Sequence, residues 1–385
     1  MKQWTLWELP FFGPEHRELE AALQRWRENF GQIEKSIQPL PLDDQCRALA
    51  HELGRAGLLD YAVPEQERGR GVDVRAATMI REALSYDSPL ADFVFAMQGI
   101  GCAPIWLYGT PELKQTYLAG HREGSRIAAF AMSEPDGSSD VASIKTRARL
   151  DGDDYVIDGV KTWISNGGIA SQYIVIARTE DMPGSKGLSA IIVDADTPGL
   201  EIESRIDIIS PHPLATIRFD GCRVPRSRLL GAAGEGFKMA MSTLDIFRTS
   251  VGGAAVGLAR RALDETVERM RGRRLFGQQM SEMDTVRMRV ADMALDLEAA
   301  VMLVYRAAWL KDTAGRPVTR EVAMAKLGAT EAAQRVIDSA VQLFGGMGVT
   351  SGSIIERLYR DVRPMRIYEG ASEVQKIIIG RKTLG

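Results

Sequence analysis

The residue best placed to do chemistry is Glu369, in the stretch Arg366-Ile-Tyr-Glu-Gly-Ala-Ser-Glu-Val-Gln375. Gly370 follows it, and a glycine lets the backbone adopt conformations closed to other residues. A helical pattern then resumes from Ala371 to Lys382, with apolar side chains on one side. The pattern predicts Glu369 at a loop-to-helix junction, where burial would raise the pKa of its carboxyl and suit it to general-base catalysis. A glutamate that only begins a helix and interacts with the helix dipole is the alternative.

The composition is typical of a soluble globular chain. Its 385 residues favour two or three domains, and hydrophobic residues make up 45% and charged residues 26%. The net charge is -3 and no long basic run occurs, so nucleic acid is not an expected partner. No signal-like segment opens the chain and no uninterrupted apolar stretch reaches about 18 residues, so we expect a cytoplasmic protein without a membrane span.

The cysteines and histidines predict neither a disulfide framework nor a metal site. Three cysteines lie far apart in the sequence, which is typical of reduced core thiols. Four histidines form no pair with the spacing of metal ligands, so we expect no metal.

The hydrophobic patterns divide the chain into three regions. Residues 1–126 read as helices, residues 127–232 as short strands with tight turns, and residues 233–385 as helices again. The fold class is therefore α+β and multi-domain: an N-terminal helical domain, a middle β-sandwich or barrel, and a C-terminal bundle of about four helices. The small-residue run Gly252–Gly257 predicts close helix packing, because no strand precedes it as a dinucleotide fingerprint would require.

Five motifs, in this order along the chain, carry a family resemblance. They are Phe130-Ala-Met-Ser-Glu-Pro-Asp-Gly-Ser-Ser-Asp140, Lys161-Thr-Trp-Ile-Ser-Asn166, Arg273-Arg-Leu-Phe-Gly277, Gln342-Leu-Phe-Gly-Gly346 and Ile367-Tyr-Glu-Gly370. Each motif alone is weak, but their order, spacing and the change from helices to strands and back are specific together. From about Glu15 to its C-terminus, the chain resembles the acyl-CoA dehydrogenases.

The resemblance implies an FAD-dependent enzyme that forms a trans double bond between C2 and C3 of an acyl-CoA thioester. A base removes the C2 proton while a hydride leaves C3 for flavin N5, so the cofactor does the redox chemistry. Glu369 matches the base of the medium- and short-chain members. Other members carry the base in the first bundle helix, where this chain has Phe247, which cannot accept a proton.

The resemblance also implies the residues that contact FAD. Matches to the flavin site are Phe130, Met132, Ser133, Trp163, Ser165, Arg273, Phe276, Gln342, Gly346, Ala371 and Glu373. Arg273 and Phe276 match a pair that reaches the FAD of a neighbouring subunit, which implies a homodimer or homotetramer. Core packing of Trp163 and a solvated helix-end role for Arg273 are the alternatives.

Matches on the substrate side are Ser139, Asp245, Arg248, Tyr368 and Gly370. An ion pair between Arg248 and Asp245 inside the bundle is an alternative for that pair. The sequence departs from the family pattern at Ser138, at Ala371, which lacks a hydroxyl, and at Asp284. With Ser281, Asp284 forms a pattern that resembles a capping box.

Other functions remain open from the sequence. An acyl-CoA oxidase or another flavin enzyme could share this scaffold, and a non-catalytic acyl-CoA-binding or partner-binding protein is a further alternative. If the chain is a dehydrogenase, the resemblance implies an electron-transferring flavoprotein as its electron acceptor. Bulky Phe247, together with Met97, Gln98 and Ile100 in a nearby helix, favours short, branched or cyclic acyl groups.

Overall fold

The structure, a computed structural model, describes residues 9–65, 71–137, 139–182 and 184–385. The chain forms two units. Unit 1 combines the N-terminal segment that ends at Gly31 with Asp73–Asp92 and Arg248–Gly385, and unit 2 combines Gln32–Val72 with Phe93–Phe247. The predicted N-terminal helical region is therefore divided between the two units.

Ten α-helices lie in the described part of the chain. They are α1 (Pro14–Ile37), α2 (Leu42–Arg55), α3 (Val74–Asp87), α4 (Pro89–Tyr108), α5 (Pro111–Arg122), α6 (Gly236–Gly272), α7 (Asp284–Thr313), α8 (Thr319–Phe344), α9 (Ile354–Val362) and α10 (Ser372–Leu384). Helix α5 begins with a capping threonine and a proline in its first turn, and the Thr110 side chain accepts a hydrogen bond from the backbone of Leu113.

The strands form one eight-stranded sheet and a separate short hairpin. In the sheet are β1 (Ala128–Ala131), β2 (Arg147–Asp151), β3 (Asp154–Ser165), β4 (Gln172–Arg178), β5 (Leu188–Asp194), β6 (Leu200–Arg205), β7 (Leu214–Pro225) and β8 (Leu229–Leu230). The hairpin pairs β9 (Arg274–Leu275) with β10 (Gln278–Gln279). The three-part α+β architecture, with a middle sheet domain, is confirmed.

The sheet lies in unit 2 and has the order β6-β7-β3-β2-β4-β5-β8, with β1 parallel to β4. Strand β3 pairs with β7 in an antiparallel register that shifts twice, between Ile157 and Gly159 and between Lys161 and Ile164. A β-bulge of this kind redirects side chains locally. The second shift contains Trp163, which has a φ of 58°.

Unit 1 holds the C-terminal helices, and α3 belongs with them. Helices α7 and α8 pack along their length, and α3 packs on α7. Two glycines of α6 allow close helix contact. A Cβ added at Gly253 would lie 2.6 Å from the carbonyl oxygen of Thr78, and one at Gly257 would lie 2.2 Å from that of Glu82. The small-residue run therefore brings helices together, as the sequence predicts.

Helix α4 is the one described helix that is long and apolar enough to cross a membrane. Of its most apolar stretch, 78% is buried in the protein, which is common for a helix in a protein core. The three cysteines are free and buried, and burial raises the pKa of Cys46 to about 12.

The predicted capping pattern of Ser281 with Asp284 is wrong. Helix α7 begins at Asp284 after Met283, whose side chain caps nothing. The capping box forms one turn earlier, where Gln279 and Glu282 bond each other's backbone N–H groups. A 3-10 turn over Met280–Glu282 shifts the start of the α-helix, which spacing alone does not reveal.

We expect Gly257→Ala to destabilise the protein. The added methyl group would clash with the backbone of Glu82, which is not the end of a flexible side chain, so α3 and α6 must move apart. Overpacking of this kind costs about 1–3 kcal/mol in free energy of unfolding, measured by chemical denaturation. Gly272→Ala in the same helix is the control, because a Cβ there has nothing within 4 Å. A Gly257→Ala variant as stable as the control would contradict the close contact.

Candidate active site

Glu369 lies at a loop-to-helix junction in unit 1, as the sequence predicts. It follows the 3-10 turn Arg363–Arg366 and precedes α10, whose N-cap is Ala371. The acidic residue in the first turn of α10 is Glu373, so the helix-dipole alternative applies to Glu373 and not to Glu369. Glu369 has a φ of 51° and Gly370 a φ of 92°. A left-handed backbone is uncommon for a residue with a side chain, and surrounding contacts must maintain it.

Three side chains hold this left-handed backbone through its carbonyl groups. Arg248 Nε donates to the carbonyl oxygen of Glu369 at 3.2 Å. Gln375 Nε2 donates to the same oxygen at 3.3 Å and to the carbonyl oxygen of Gly370 at 3.0 Å. Lys326 Nζ also donates to the Gly370 oxygen, at 2.9 Å. The donors come from α6, α8 and α10, so three helices fix the loop.

The carboxyl group of Glu369 is enclosed although the residue as a whole is half-buried. Among the described residues, nothing forms a hydrogen bond with Oε2, which is inaccessible to solvent. Burial raises the pKa of Glu369 above its ordinary 4.5, Arg81, Arg248 and Lys326 oppose that rise, and Asp92 adds to it. The side chain is therefore an enclosed carboxyl group surrounded by charges.

Arg81 and Asp92 form a buried ion pair near Glu369. The Arg81 side chain is 2% exposed, and its Nε and Nη2 donate to the two Asp92 oxygens at 2.7 and 2.9 Å. Its Nη1 donates to Ser250 Oγ at 3.2 Å. Burial raises the pKa of Tyr368 well above its usual range, while Arg81 opposes that rise.

Lys326 is a fully buried lysine on α8. Burial lowers its pKa to about 8, while Glu369 acts in the opposite direction. Sequence reasoning missed Lys326, Arg81, Asp92 and Gln375. One signal for Lys326 was available: it is a charged residue on the buried, alanine-rich face of an amphipathic helix.

The predicted flavin strand lies in unit 2. Phe130 is in β1, and Met132 and Ser133 follow it directly. Lys161 Nζ donates to the carbonyl oxygen of Met132 at 3.0 Å, and the backbone N–H of Thr162 donates to that of Ser133 at 3.0 Å. Strand β3 therefore fixes the backbone of both residues.

A buried acid–base pair reinforces the same segment. Glu134 accepts from Lys161 Nζ at 2.8 Å and from the backbone N–H groups of Lys145 and Thr146 at 2.7 and 2.9 Å. Burial lowers the pKa of Lys161 to about 8, although Glu134 opposes that shift. Every side-chain oxygen of Glu134 thus has a donor, and the turn after β1 is rigid.

Trp163 and Ser165 lie near the end of β3. The Trp163 side chain is 55% exposed, so core packing does not explain its presence. Its left-handed backbone at the β-bulge turns the indole ring out of the sheet's buried face. Ser165 is half-buried.

The remaining predicted FAD residues lie in unit 1. Phe276 is at the turn of the β9–β10 hairpin, with a φ of 50° and 95% exposure, and Arg273 precedes β9 and is exposed. Gln342 is exposed near the end of α8, and Gly346 lies in the following 3-10 turn. Arg273 and Phe276 thus provide an exposed guanidinium group and an exposed aromatic ring at this hairpin.

The predicted substrate residues lie in both units. Ser139 is exposed and Asp245 is half-buried in unit 2, whereas Arg248 is buried in unit 1 and donates to the Glu369 carbonyl. Tyr368 and Gly370 flank Glu369 in unit 1. The departure at Ser138 lies outside the described residues.

One group of potential metal-ligating side chains occurs among the described residues. Atoms of Glu15, His16 and Asp73 lie within 4.8 Å of one another. The His16 ring already has polar partners, since Nδ1 accepts from the backbone of Gly13 at 3.0 Å and Nε2 lies 3.4 Å from Asp73. The group is accounted for as a hydrogen-bonded link between α1 and the start of α3.

Three family models match this chain in succession. They are the acyl-CoA dehydrogenase N-terminal domain over residues 14–125, the middle domain over residues 129–222 and the C-terminal domain over residues 234–384. Together they cover nearly the whole sequence, in the order that the sequence motifs predict.

Relatives agree with these models. The mitochondrial short-chain specific acyl-CoA dehydrogenase of Rattus norvegicus is 39% identical, over 85% of this chain and 80% of the relative. A chain in the solved structure of the electron transferring flavoprotein of Acidaminococcus fermentans is 35% identical, with a TM-score of 0.89 over 97% of this chain and 98% of that one. The acyl-CoA dehydrogenase of Bacillus anthracis, complexed with FAD, is 29% identical. Its TM-score is 0.86 over 97% of this chain and 67% of that one. This chain therefore belongs to the acyl-CoA dehydrogenase family of flavin-dependent oxidoreductases.

Proposed function

We propose that this protein is an FAD-dependent acyl-CoA dehydrogenase that forms a double bond between C2 and C3 of an acyl-CoA thioester. Glu369 accepts the C2 proton on its carboxylate, and C3 loses a hydride. The enclosed Glu369 Oε2, for which the described residues provide no hydrogen-bond donor, carries this proposal. A carboxylate oxygen that is removed from water and receives no donor is a stronger proton acceptor than a solvated one, because water no longer stabilises its charge.

The charges around Glu369 suit a base that works near neutral pH. Burial alone would keep the carboxyl protonated, and the cations Arg81, Arg248 and Lys326 favour its ionised form. The net effect leaves the pKa of Glu369 above its ordinary value. The carboxylate is therefore a stronger base than an exposed glutamate, while the cations limit the rise so that it is not always protonated. Activity should therefore fall as the pH drops through this raised pKa, because the carboxylate is then lost.

The residues of this chain fit FAD. When bound, FAD supplies the acceptor for the C3 hydride. The exposed indole of Trp163 offers a flat face for a ring system, and the rigid backbone of Met132 and Ser133 offers fixed polar groups. A planar guanidinium suits a pyrophosphate, which favours Arg273 for that part of the cofactor. We assign the flavin side to Phe130, Met132, Ser133, Trp163 and Ser165, and the rest of FAD to Arg273, Phe276, Gln342, Gly346, Ala371 and Glu373.

The substrate's CoA arm is assigned to Ser139, Asp245 and Arg248, and its thioester end to Tyr368 and Gly370. Arg248 would have a second task, since its Nε already holds the carbonyl oxygen of Glu369. A single arginine would thus link substrate binding to the position of the base.

We propose a short, branched or cyclic acyl group. Phe247 is fully buried in a cluster with Ile100, Ala103 and partly buried Met97 within unit 2. Its ring fits only because residue 99 is a glycine, since a Cβ there would lie 2.5 Å from the ring. The similarity to a short-chain specific enzyme supports a restricted chain length.

Gln98 forms hydrogen bonds with the backbone instead of lining an acyl site. Its Nε2 donates to the carbonyl oxygens of His121 and Arg126 at 2.9 and 2.8 Å, and its Oε1 accepts from the backbone of Ala128 at 2.8 Å. It therefore fixes the start of β1, the strand that leads to Met132.

We further propose that the protein is a homo-oligomer. On α7, Met288, Leu295 and Met302 are spaced by seven residues and are all exposed. A heptad spacing of apolar residues is the pattern by which one helix packs against another. Phe276 adds a fully exposed ring on the neighbouring hairpin. A second copy of this chain is the partner that would cover these residues.

The remaining assignments follow from the family. We propose an electron-transferring flavoprotein as the electron acceptor, supported by the similarity to a chain in such a structure. We propose a cytoplasmic location and domain boundaries at residues 1–126, 127–232 and 233–385.

We expect Glu369→Gln to abolish substrate oxidation without unfolding the protein. The amide keeps the size of the side chain but accepts no proton at neutral pH, so flavin reduction by acyl-CoA should slow at least about 100-fold. Stopped-flow absorbance under nitrogen measures this rate. Glu268→Gln, an exposed change on α6, is the control and should reduce at the wild-type rate. A Glu369→Gln enzyme that retains a tenth of the rate would exclude Glu369 as the base.

A panel of acyl-CoA thioesters should give the highest kcat/KM with short, branched or cyclic acyl groups. Phe247→Ala should move the optimum to longer chains, because it removes a large buried ring. An optimum at palmitoyl-CoA for the unchanged protein would refute the size proposal.

Sedimentation of the flavin-loaded protein should give a mass that is two or four times the chain mass of 42.3 kDa. Leu295→Glu should yield smaller species, because a charge in the middle of the exposed α7 stripe opposes burial. A flavin-loaded monomer of the unchanged protein would exclude a shared FAD site.

A further inference from the structure

The backbone of Glu369 has a left-handed conformation, which a residue with a side chain does not favour. A positive φ is unfavourable for a residue with a side chain and persists only where the surroundings enforce it. Glu369 and Gly370 both have positive φ, and their two carbonyl oxygens receive the donors from Arg248, Gln375 and Lys326. The direction of the Glu369 side chain therefore depends on groups that hold the backbone carbonyls of Glu369 and Gly370.

Lys326 differs from Arg81, another cation near Glu369, in how its charge is used. Arg81 is paired in a two-pronged contact with Asp92. Among the residues that the structure describes, Lys326 forms no ion pair, and its hydrogen bond goes to the neutral carbonyl of Gly370. Glu369 is the anion with the largest effect on Lys326, ahead of Glu331 and Glu373. A buried ammonium group with a neutral acceptor is costly, so its presence calls for a function.

We propose that Lys326 is a positioning residue for the base: its ammonium group fastens the Gly370 carbonyl and places a positive charge beside the Glu369 carboxyl. This inference rests on the proposed function of Glu369. The charged groups that face Glu369 come from α3 (Arg81), α4 (Asp92), α6 (Arg248) and α8 (Lys326). Gln375 donates to the same Gly370 carbonyl oxygen as Lys326 but carries no charge. A comparison of variants at the two positions therefore separates the effect of backbone geometry from the effect of charge.

The test measures proton removal alone. (Methylthio)acetyl-CoA has C2 protons but sulfur in place of C3, so no hydride can leave. In D2O, the base takes a proton from C2, the thioester becomes an enolate, and a deuteron returns to C2. Proton NMR follows the loss of the C2 signal between about pH 5.5 and 7, where Lys326, with a pKa of about 8, is largely protonated. Flavin content, the Kd for this thioester and the thermal midpoint are measured on each variant.

Lys326→Met keeps the size of the side chain and removes both the donor and the charge. We expect exchange at pH 7 to fall at least about tenfold and the acid-side midpoint of the profile to rise by about one pH unit. The midpoint rises because a cation near a carboxylate favours its ionised form, and less carboxylate is present at a given pH once the cation is removed. Flavin content and Kd should stay within about twofold of wild type.

Two further variants separate the causes. Gln375→Met removes a donor without changing charge, so it should lower the plateau rate and leave the midpoint in place. Thr330→Val lies one turn from Lys326 on α8 and removes a buried hydroxyl that bonds only its own helix, so it should change neither quantity. If Lys326→Met fails to fold, Lys326→Gln replaces it and should give the same upward shift.

The outcomes test the role of Lys326 and the proposed function of Glu369 separately. A wild-type protein that exchanges no C2 proton, or that exchanges as fast as Glu369→Gln, refutes the proposed base and this inference with it. A wild type that exchanges while Lys326→Met keeps the same rate and midpoint refutes the role of Lys326 alone. A fall in rate with an unshifted midpoint and a loss of flavin would make Lys326 merely structural and would likewise overturn the proposal.

Discussion

The candidate site depends on keeping one carboxyl group enclosed while its backbone is in a left-handed conformation. Enclosure raises the proton affinity of Glu369, and the buried cations around it prevent that affinity from becoming too high. The left-handed backbone aims the side chain, and donors from three helices maintain it. The C-terminal bundle thus does more than supply a core, because α6, α8 and α10 each contribute one donor to the same short loop.

Much of the architecture could be predicted because it rests on local patterns. Helix α8, Thr319–Phe344, has a regular apolar periodicity and ends where two glycines follow, so the signals for it are local in the sequence. The short strand-like runs predicted between residues 127 and 232 lie in β2–β5 and β7. The junction at Glu369 follows from a glycine next to a resumed helical pattern. These signals lie within a few residues of the feature that they predict.

Features that depend on distant residues were not predictable in the same way. Arg81, Asp92 and Lys326 are far apart in sequence, and each alone looks like a charge on a helix. Only the fold brings them near Glu369. The grouping of α3 with the C-terminal helices is also non-local, since it follows from packing on α7 and from the glycines of α6. The capping pattern at Ser281 and Asp284 was wrong because a 3-10 turn with its own capping box precedes α7.

The exposed ring of Phe276 has a consequence for how the folded state responds to dilution. An isolated chain bears both an unfavourable backbone geometry at this residue and the hydration of a bare aromatic side chain. If a second copy covers that ring, the burial gained on association offsets these costs, and mass action then makes the apparent stability rise with protein concentration. Through this hairpin, the folded fraction would depend on the total protein concentration.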